Sequence, residues 1–359
     1  MSLPPSGYKG RGAAHNPPNR YHTEQHEDFD DGWATLPDGP VPPRTEVLAD
    51  AGRRIISYNR SPDLPFDRSI NPYRGCEHGC IYCFARPGHA WLDCSPGLDF
   101  ETRIFHKPDA AERLRCELGR AGYSCAPLAL GVNTDAWQPV ERRLRITRAL
   151  LEVLLECRHP VGIVTKSALV ERDIDLLTAL AEQRLVHVTL SVTTLDAGLA
   201  QRLEPRAASP RRRLASIRAL RAAGIPVSVL VAPVIPVLND HELERILEAV
   251  HEAGALDAGY VMLRLPHEVA DLFRDWLARH EPLKADRVMK RLREMHGGRE
   301  YDARFHHRLR GEGAFAGLIA QRFACARRRL DFPGLPAFDC SRFRPPRRSD
   351  DPQLELFGD

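Results

Sequence analysis

Cys76, Cys80 and Cys83 fall within eight residues of one another, in the run Asn71-Pro-Tyr-Arg-Gly-Cys-Glu-His-Gly-Cys-Ile-Tyr-Cys-Phe. Thiolates at that density on a short loop are the ligands of iron–sulfur clusters. Gly75 and Gly79 each precede a cysteine, where a tight wrap calls for backbone angles closed to other residues. Three thiolates leave one iron of a four-iron cubane without a protein ligand, open to a small molecule. An open iron implies reactivity and not electron storage alone.

Other uses of the cysteines fit less well. A structural zinc site wants four ligands, with His78 the one local candidate to join the three thiols. Covalent haem attachment needs Cys-x-x-Cys-His, but Phe84 follows Cys83. A disulfide framework is disfavoured by an odd and sparse nine cysteines in 359 residues, with no secretory signal at the start of the chain. The expectation is a reducing, cytoplasmic setting.

The elements that must position this loop follow from apolar periodicity. Apolar runs at 128–132, 161–165, 186–192, 227–234 and 260–265 read as strands, and between them 110–120, 142–156, 171–183, 210–223 and 241–252 carry leucine and alanine at helical spacing. Such alternation gives a parallel α/β sheet, doubly wound or barrel-like. No glycine-rich phosphate loop follows the first strand, which counts against a nucleotide-binding doubly wound fold. In either architecture ligands gather at the C-terminal ends of the strands.

At 359 residues the chain accommodates one large domain with appendages, and its 43% hydrophobic content supports a substantial core. No run reaches the roughly 18 apolar residues of a membrane helix, so no membrane partner is expected. Residues 1–45, rich in Pro, Gly, Asn and charge without apolar period, read as a disordered leader. Net charge is only +3, yet residues 282–348 hold 17 Lys/Arg against 7 Asp/Glu. That basic balance suits a polyanion such as DNA, though arginines also simply solvate helix faces.

The spacing Cys-x3-Cys-x2-Cys, with Tyr82 before the last cysteine, resembles the radical S-adenosylmethionine (SAM) superfamily. The longer run Asn-Pro-Tyr-Arg-Gly-Cys-x3-Cys-x-Tyr-Cys-Phe-Ala-Arg-Pro is similar to its branch related to spore photoproduct lyase, a DNA-repair enzyme, over about residues 45–300. The resemblance implies a [4Fe-4S] cluster held by Cys76, Cys80 and Cys83, with SAM chelating the fourth iron. It implies a partial (β/α)6 TIM-like barrel over 46–297; beyond it, composition reads as a basic helical appendage over 298–345 and a flexible tail over 346–359. It further implies a low-potential electron donor and reductive cleavage of SAM to a 5′-deoxyadenosyl radical that abstracts hydrogen.

Site residues follow by position. The superfamily's Gly-Gly-Glu after the second strand is missing here; Asn133 and Asp135 stand in its place for the methionyl amine, or Asp135 orders the turn. Lys166, one of only five lysines, would neutralise the cofactor carboxylate. Ser191 or Thr193 would bond the ribose or carboxylate, and Arg206 would add a bidentate clamp, or pair with Glu204. Tyr82 sits against the cofactor. In the lyase a further cysteine returns hydrogen to the product; of the six others here, Cys94 in its Pro/Gly-rich loop is the candidate. The terminal Gln353-Leu354-Glu-Leu356-Phe357 resembles the pentapeptide by which bacterial repair proteins dock on the sliding clamp, and a tail folded back on its own domain is the alternative. Two other functions stay open: a radical SAM enzyme acting on RNA, a peptide or a small molecule, and a non-catalytic iron–sulfur or zinc adaptor at DNA.

Overall fold

The computed structural model describes residues 8–21 and 43–346. The clamp-like residues Gln353, Leu354, Leu356 and Phe357 lie outside them. Among the described residues ten strands run β1 Glu46–Ala49, β2 Ile56–Tyr58, β3 Arg68–Ile70, β4 Tyr73–Arg74, β5 Arg103–His106, β6 Leu128–Leu130, β7 Val161–Thr165, β8 Val186–Ser191, β9 Val227–Val234 and β10 Asp257–Met262. The main sheet has the order β10-β9-β8-β7-β6-β3-β2. Its six strands β3 to β10 pair in parallel, while β2 joins the edge antiparallel. This is the expected partial (β/α)6 barrel, an α/β fold left open. A second sheet, β1-β5-β4, stands beside it.

Valine and isoleucine dominate the central strands because both faces are covered, as parallel sheets require; five of the six residues of β8 are buried. Helices return the chain between them. Ile146–Glu156 buries Ile146, Leu150, Leu151, Val153 and Leu154 at three- and four-residue spacings. Pro210–Ala222 begins with Ser209 accepting the Arg212 amide at 3.3 Å and with proline in its first turn. The last strand differs from its sequence reading: β10 occupies 257–262 instead of 260–265. Asp257 and Gly259 stay in register with β9, whereas Leu263 and Leu265 leave the sheet to enter a second apolar cluster around Phe273 and Trp276.

The open seam is bridged by the appendage. The Met262 amide donates to the Leu309 carbonyl at 2.9 Å on the β10 side, while Arg308 and the His306 amide donate to the Asp63 carboxylate in the β2–β3 turn at 2.6 Å each. The chain then turns under the strands' N-terminal ends. Gly334, Asp339 and Arg344 amides donate to the carbonyls of Leu256, Arg184 and Cys157, and Phe338 stacks on His187 at 3.9 Å. Much of the basic excess is consumed inside the fold: Arg322 forks Glu244, Arg327 meets Asp257, Arg329 meets Glu248, and Arg304 meets Asp302.

Buried histidines make the fold acid-sensitive. His159 is fully buried; its Nδ1 donates to the Pro160 carbonyl at 2.9 Å, so its Nε2 accepts from Tyr123 Oη at 2.8 Å. Burial pulls its pKa down to about 4, and His89 likewise to about 4. Below about pH 6.5 the unfolded chain takes up protons these rings refuse in the fold. Stability is therefore full above that pH and falls toward pH 4, by about 2 kcal/mol per ring between pH 7 and 5. Urea midpoints at the two pH values check this; a midpoint that does not fall on acidification contradicts it.

The leader reading needs correction over residues 8–21. Ala13 and Ala14 are buried, and Gly12 and Ala13 amides each donate to the Glu101 carboxylate at 2.9 Å. A side chain at Gly12 would strike the Gly79 carbonyl, its Cβ only 1.9 Å away. The order comes from backbone contacts with distant residues, which carry no local apolar pattern.

Candidate active site

The cysteine loop leaves β4, immediately after the first parallel strand. Gly75 and Gly79 have φ of +78° and +68°, and a Cβ on Gly75 would lie 2.9 Å from the carbonyls of Phe100 and Arg103. The sharp wrap thus needs glycine twice over, in angle and in space. Cys76 donates its amide to the Phe100 carbonyl at 2.8 Å, and Ile81 donates to Leu203 at 3.1 Å. Buried Gln138 clamps the loop from the other side, its Oε1 accepting the Glu77 amide at 2.8 Å and its Nε2 donating to the Gly75 carbonyl at 3.1 Å.

Arg86 is the loop's internal brace. It is fully buried, donating to the carbonyls of Cys80 (2.9 Å), Pro96 (3.0 Å), Gly97 (2.9 Å) and Gly79 (3.3 Å) and to Glu101 Oε1 at 2.5 Å. The same Glu101 receives the Gly12 and Ala13 amides, so one buried carboxylate ties the leader segment to the cysteine loop. A buried charge is tolerated only when paired and hydrogen-bonded in this way.

A polar group assembles at the C-terminal ends of β7, β8 and β9. Glu204, buried, accepts from Tyr82 Oη, from Thr193 Oγ1 at 2.6 Å and from the buried Arg213 guanidinium, with Lys166 Nζ at 3.3 Å. Burial alone would raise this carboxyl's pKa; Arg213 and Lys166 more than reverse that and hold it well below the usual range. Lys166 also donates to the Ala232 carbonyl at 3.1 Å and lies over the Tyr82 ring, 5.8 Å from its centre. Tyr82, Thr193 and Lys166 are thereby brought together, next to Cys83. Ser191 is buried close by, its carbonyl accepting from Arg213 at 2.9 Å.

The remaining expected residues fall elsewhere. Asp135 is saturated: its carboxylate accepts from Thr165 Oγ1 (2.8 Å), the Trp137 amide (2.9 Å) and the Lys166 amide (2.7 Å), and faces His78 Nδ1 at 3.4 Å. It orders the turn and ties it to the cysteine loop. Asn133 is exposed and lines a separate cavity beside the loop. Arg206 pairs with Glu77 at 3.0 Å and not with Glu204. Cys94 lies inside the fold. It is 1% exposed, its thiol donating to the Leu92 carbonyl at 3.3 Å and accepting from Arg103 at 3.2 Å. Arg86, Glu101, Gln138 and Arg213 escaped the sequence reading. Arg86 sits inside the quoted motif but among many arginines, and helical period does not reveal which of Arg211, Arg212 and Arg213 turns inward.

The donor set fits an iron–sulfur cluster. Cys76, Cys80 and Cys83 are free thiols. Burial pushes all three pKa values up, and Cys76 is raised further by Asp135 and by its fellow cysteines. Such thiols ionise only against strong positive charge, which thiolate-bound iron supplies. The zinc alternative fares worse, because His78 is turned to Asp135. Among the described residues no three His, Cys, Asp or Glu side chains converge as the ligands of one ion do.

This chain belongs to the radical SAM superfamily, whose family model matches residues 70–250. Its cofactors are therefore a [4Fe-4S] cluster and SAM. An uncharacterized protein of Mycobacterium tuberculosis is 39% identical over 245 residues, covering 67% of this chain and 71% of that protein. Another, from Methanocaldococcus jannaschii, is 25% identical over 199 residues, covering 55% and 71%. Among solved structures, spore photoproduct lyase with bound AdoMet and dinucleoside spore photoproduct is similar in fold, with a TM-score of 0.55 at 14% identity over 80% of this chain and 79% of that one. No helix among the described residues is long and apolar enough to cross a membrane.

Proposed function

We propose that this chain is a radical SAM enzyme that cleaves its cofactor reductively and abstracts a hydrogen atom from a nucleic-acid substrate, DNA foremost. The observation that carries the reading is the loop of three thiols, not four, braced at the C-terminal ends of a parallel sheet. The bound cluster and SAM supply an electron and a 5′-deoxyadenosyl radical. Everything else is the work of this chain's residues.

Gln138 and Arg86 hold the backbone of the cysteine loop in its wrap. Lys166 Nζ would meet the methionyl carboxylate as a compact charge. Thr193 and Tyr82 would offer hydroxyls to the ribose or carboxylate. Glu204, itself paired with Arg213, holds those three together. The apolar strand β9 would wall the adenine and keep water out.

The test is anaerobic reconstitution with iron and sulfide, a strong reductant, and chromatography for 5′-deoxyadenosine. Turnover that rises when DNA is added is expected. No 5′-deoxyadenosine at all rejects the enzyme and leaves the adaptor reading. A second reading, a substrate other than DNA, is favoured by one observation: the appendage's arginines are largely ion-paired within the molecule, bridging the seam. It predicts turnover that is indifferent to DNA.

A further inference from the structure

Beside the cysteine loop, on the same end of the sheet, lies a cavity of about 440 Å³ lined by Arg53, Arg54, Arg74, Lys107, Asn71 and Asn133 among others. Four cations thus surround it. Two of them, Lys107 and Arg74, are met by the Asp50 carboxylate, which accepts from both. Arg53 and Arg54 are exposed and have no ion pair or hydrogen bond among the described residues. Many of the appendage's arginines are ion-paired within the molecule, whereas among the described residues these two are not.

The loop that presents them is built, not loose. Ile55 and Ile56 are buried, and their amides donate to the two oxygens of the buried Glu117 carboxylate at 2.9 and 3.2 Å. The Gly52 amide donates to Asp50 Oδ1 at 2.9 Å, and the Gly52 carbonyl accepts from Arg113. Backbone fixed on both sides of Arg53 and Arg54 aims two guanidinium forks at one cleft at little further cost in entropy. Forked donors match phosphate oxygens bidentately, while Ser57 and the amides of Asn71 and Asn133 are the neutral groups that bond sugar and phosphate. Arg74 stands two residues before Cys76, so a strand held here runs past the radical site.

We infer that this cleft holds the phosphodiester backbone of a polynucleotide substrate. The inference deepens the nucleic-acid reading above and rests on it. The Arg53→Ala/Arg54→Ala double variant tests it by fluorescence anisotropy with labelled duplex DNA across a potassium chloride series. Affinity at fixed salt should fall at least about 10-fold, and the slope of log K against log salt should shrink by about 1.8, since each lost phosphate contact removes about 0.9. Unchanged affinity and slope overturn the inference. So does competition by poly-glutamate as strong as by unlabelled DNA, or inorganic phosphate binding as tightly as the oligonucleotide. Because neither arginine touches the cysteine loop, the variant should form 5′-deoxyadenosine without DNA at the wild-type rate. Loss of that product in the wild type would count against the cofactor reading and leave the cleft to be judged by binding alone.

Discussion

A Cys83→Ala variant is expected to lose cofactor cleavage by more than about 100-fold, beyond what an outer-shell partner of a metal site contributes. The cradle has no spare sulfur. Cys94 is bound to the Leu92 carbonyl and Arg103 and cannot swing over, and no other thiol packs with Cys76, Ala85 and Phe100 beneath Cys83. Cys83 is only half-buried, and its amide and carbonyl bonds to Cys80 and Arg86 belong to the backbone. Removing its sulfur should therefore leave the apo fold intact, as circular dichroism would show, while iron and sulfide content collapses. Cys94→Ala should retain both cluster and cleavage. Full 5′-deoxyadenosine formation by Cys83→Ala contradicts the assignment.

Arg86→Met carries the second large effect, on stability. The substitution keeps much of the side chain's length but deletes donors to four carbonyls and to Glu101 in a site closed to water. Glu101 is left as a buried charge with, among the described residues, the Gly12 and Ala13 amides as its remaining hydrogen-bond donors. Breaking one side of a buried pair costs about 3–5 kcal/mol. Urea unfolding should show a loss of that order, with poor cluster uptake because the Gly79–Cys80 backbone is no longer held. Arg86→Lys should not restore it, since an ammonium cannot reproduce the fork. The double variant Arg86→Met/Glu101→Gln should be less unstable than the two single losses added together, because the pair fails as a unit. Stability within 1 kcal/mol of wild type in Arg86→Met contradicts the brace.

The parallel core was legible because its signals are local. Val161–Thr165 and Val227–Val234 are strands by their own β-branched runs, and the cysteine spacing announces its chemistry without any fold. What stayed hidden depends on distant partners. The ordering of residues 8–21 rests on Glu101, some 90 positions away, and no pattern in a glycine-rich segment reports that. Asp135 follows the second strand of the sequence reading and Arg206 a helix after the fourth, yet which charge each meets was decided by His78 and Glu77, both inside the cysteine loop. The arginines of the appendage counted as a basic surface in sequence because composition does not reveal that Glu244, Glu248 and Asp257 lie opposite them.

The central claim is that a cluster held by three cysteines keeps one iron for SAM. Electron-paramagnetic-resonance spectra of the reduced, anaerobically reconstituted protein, recorded without and with SAM, test it most directly. A cubane signal that changes in shape and g-values when SAM is added is the predicted result. A spectrum indifferent to SAM, or a colourless protein with no cluster to reduce, contradicts it.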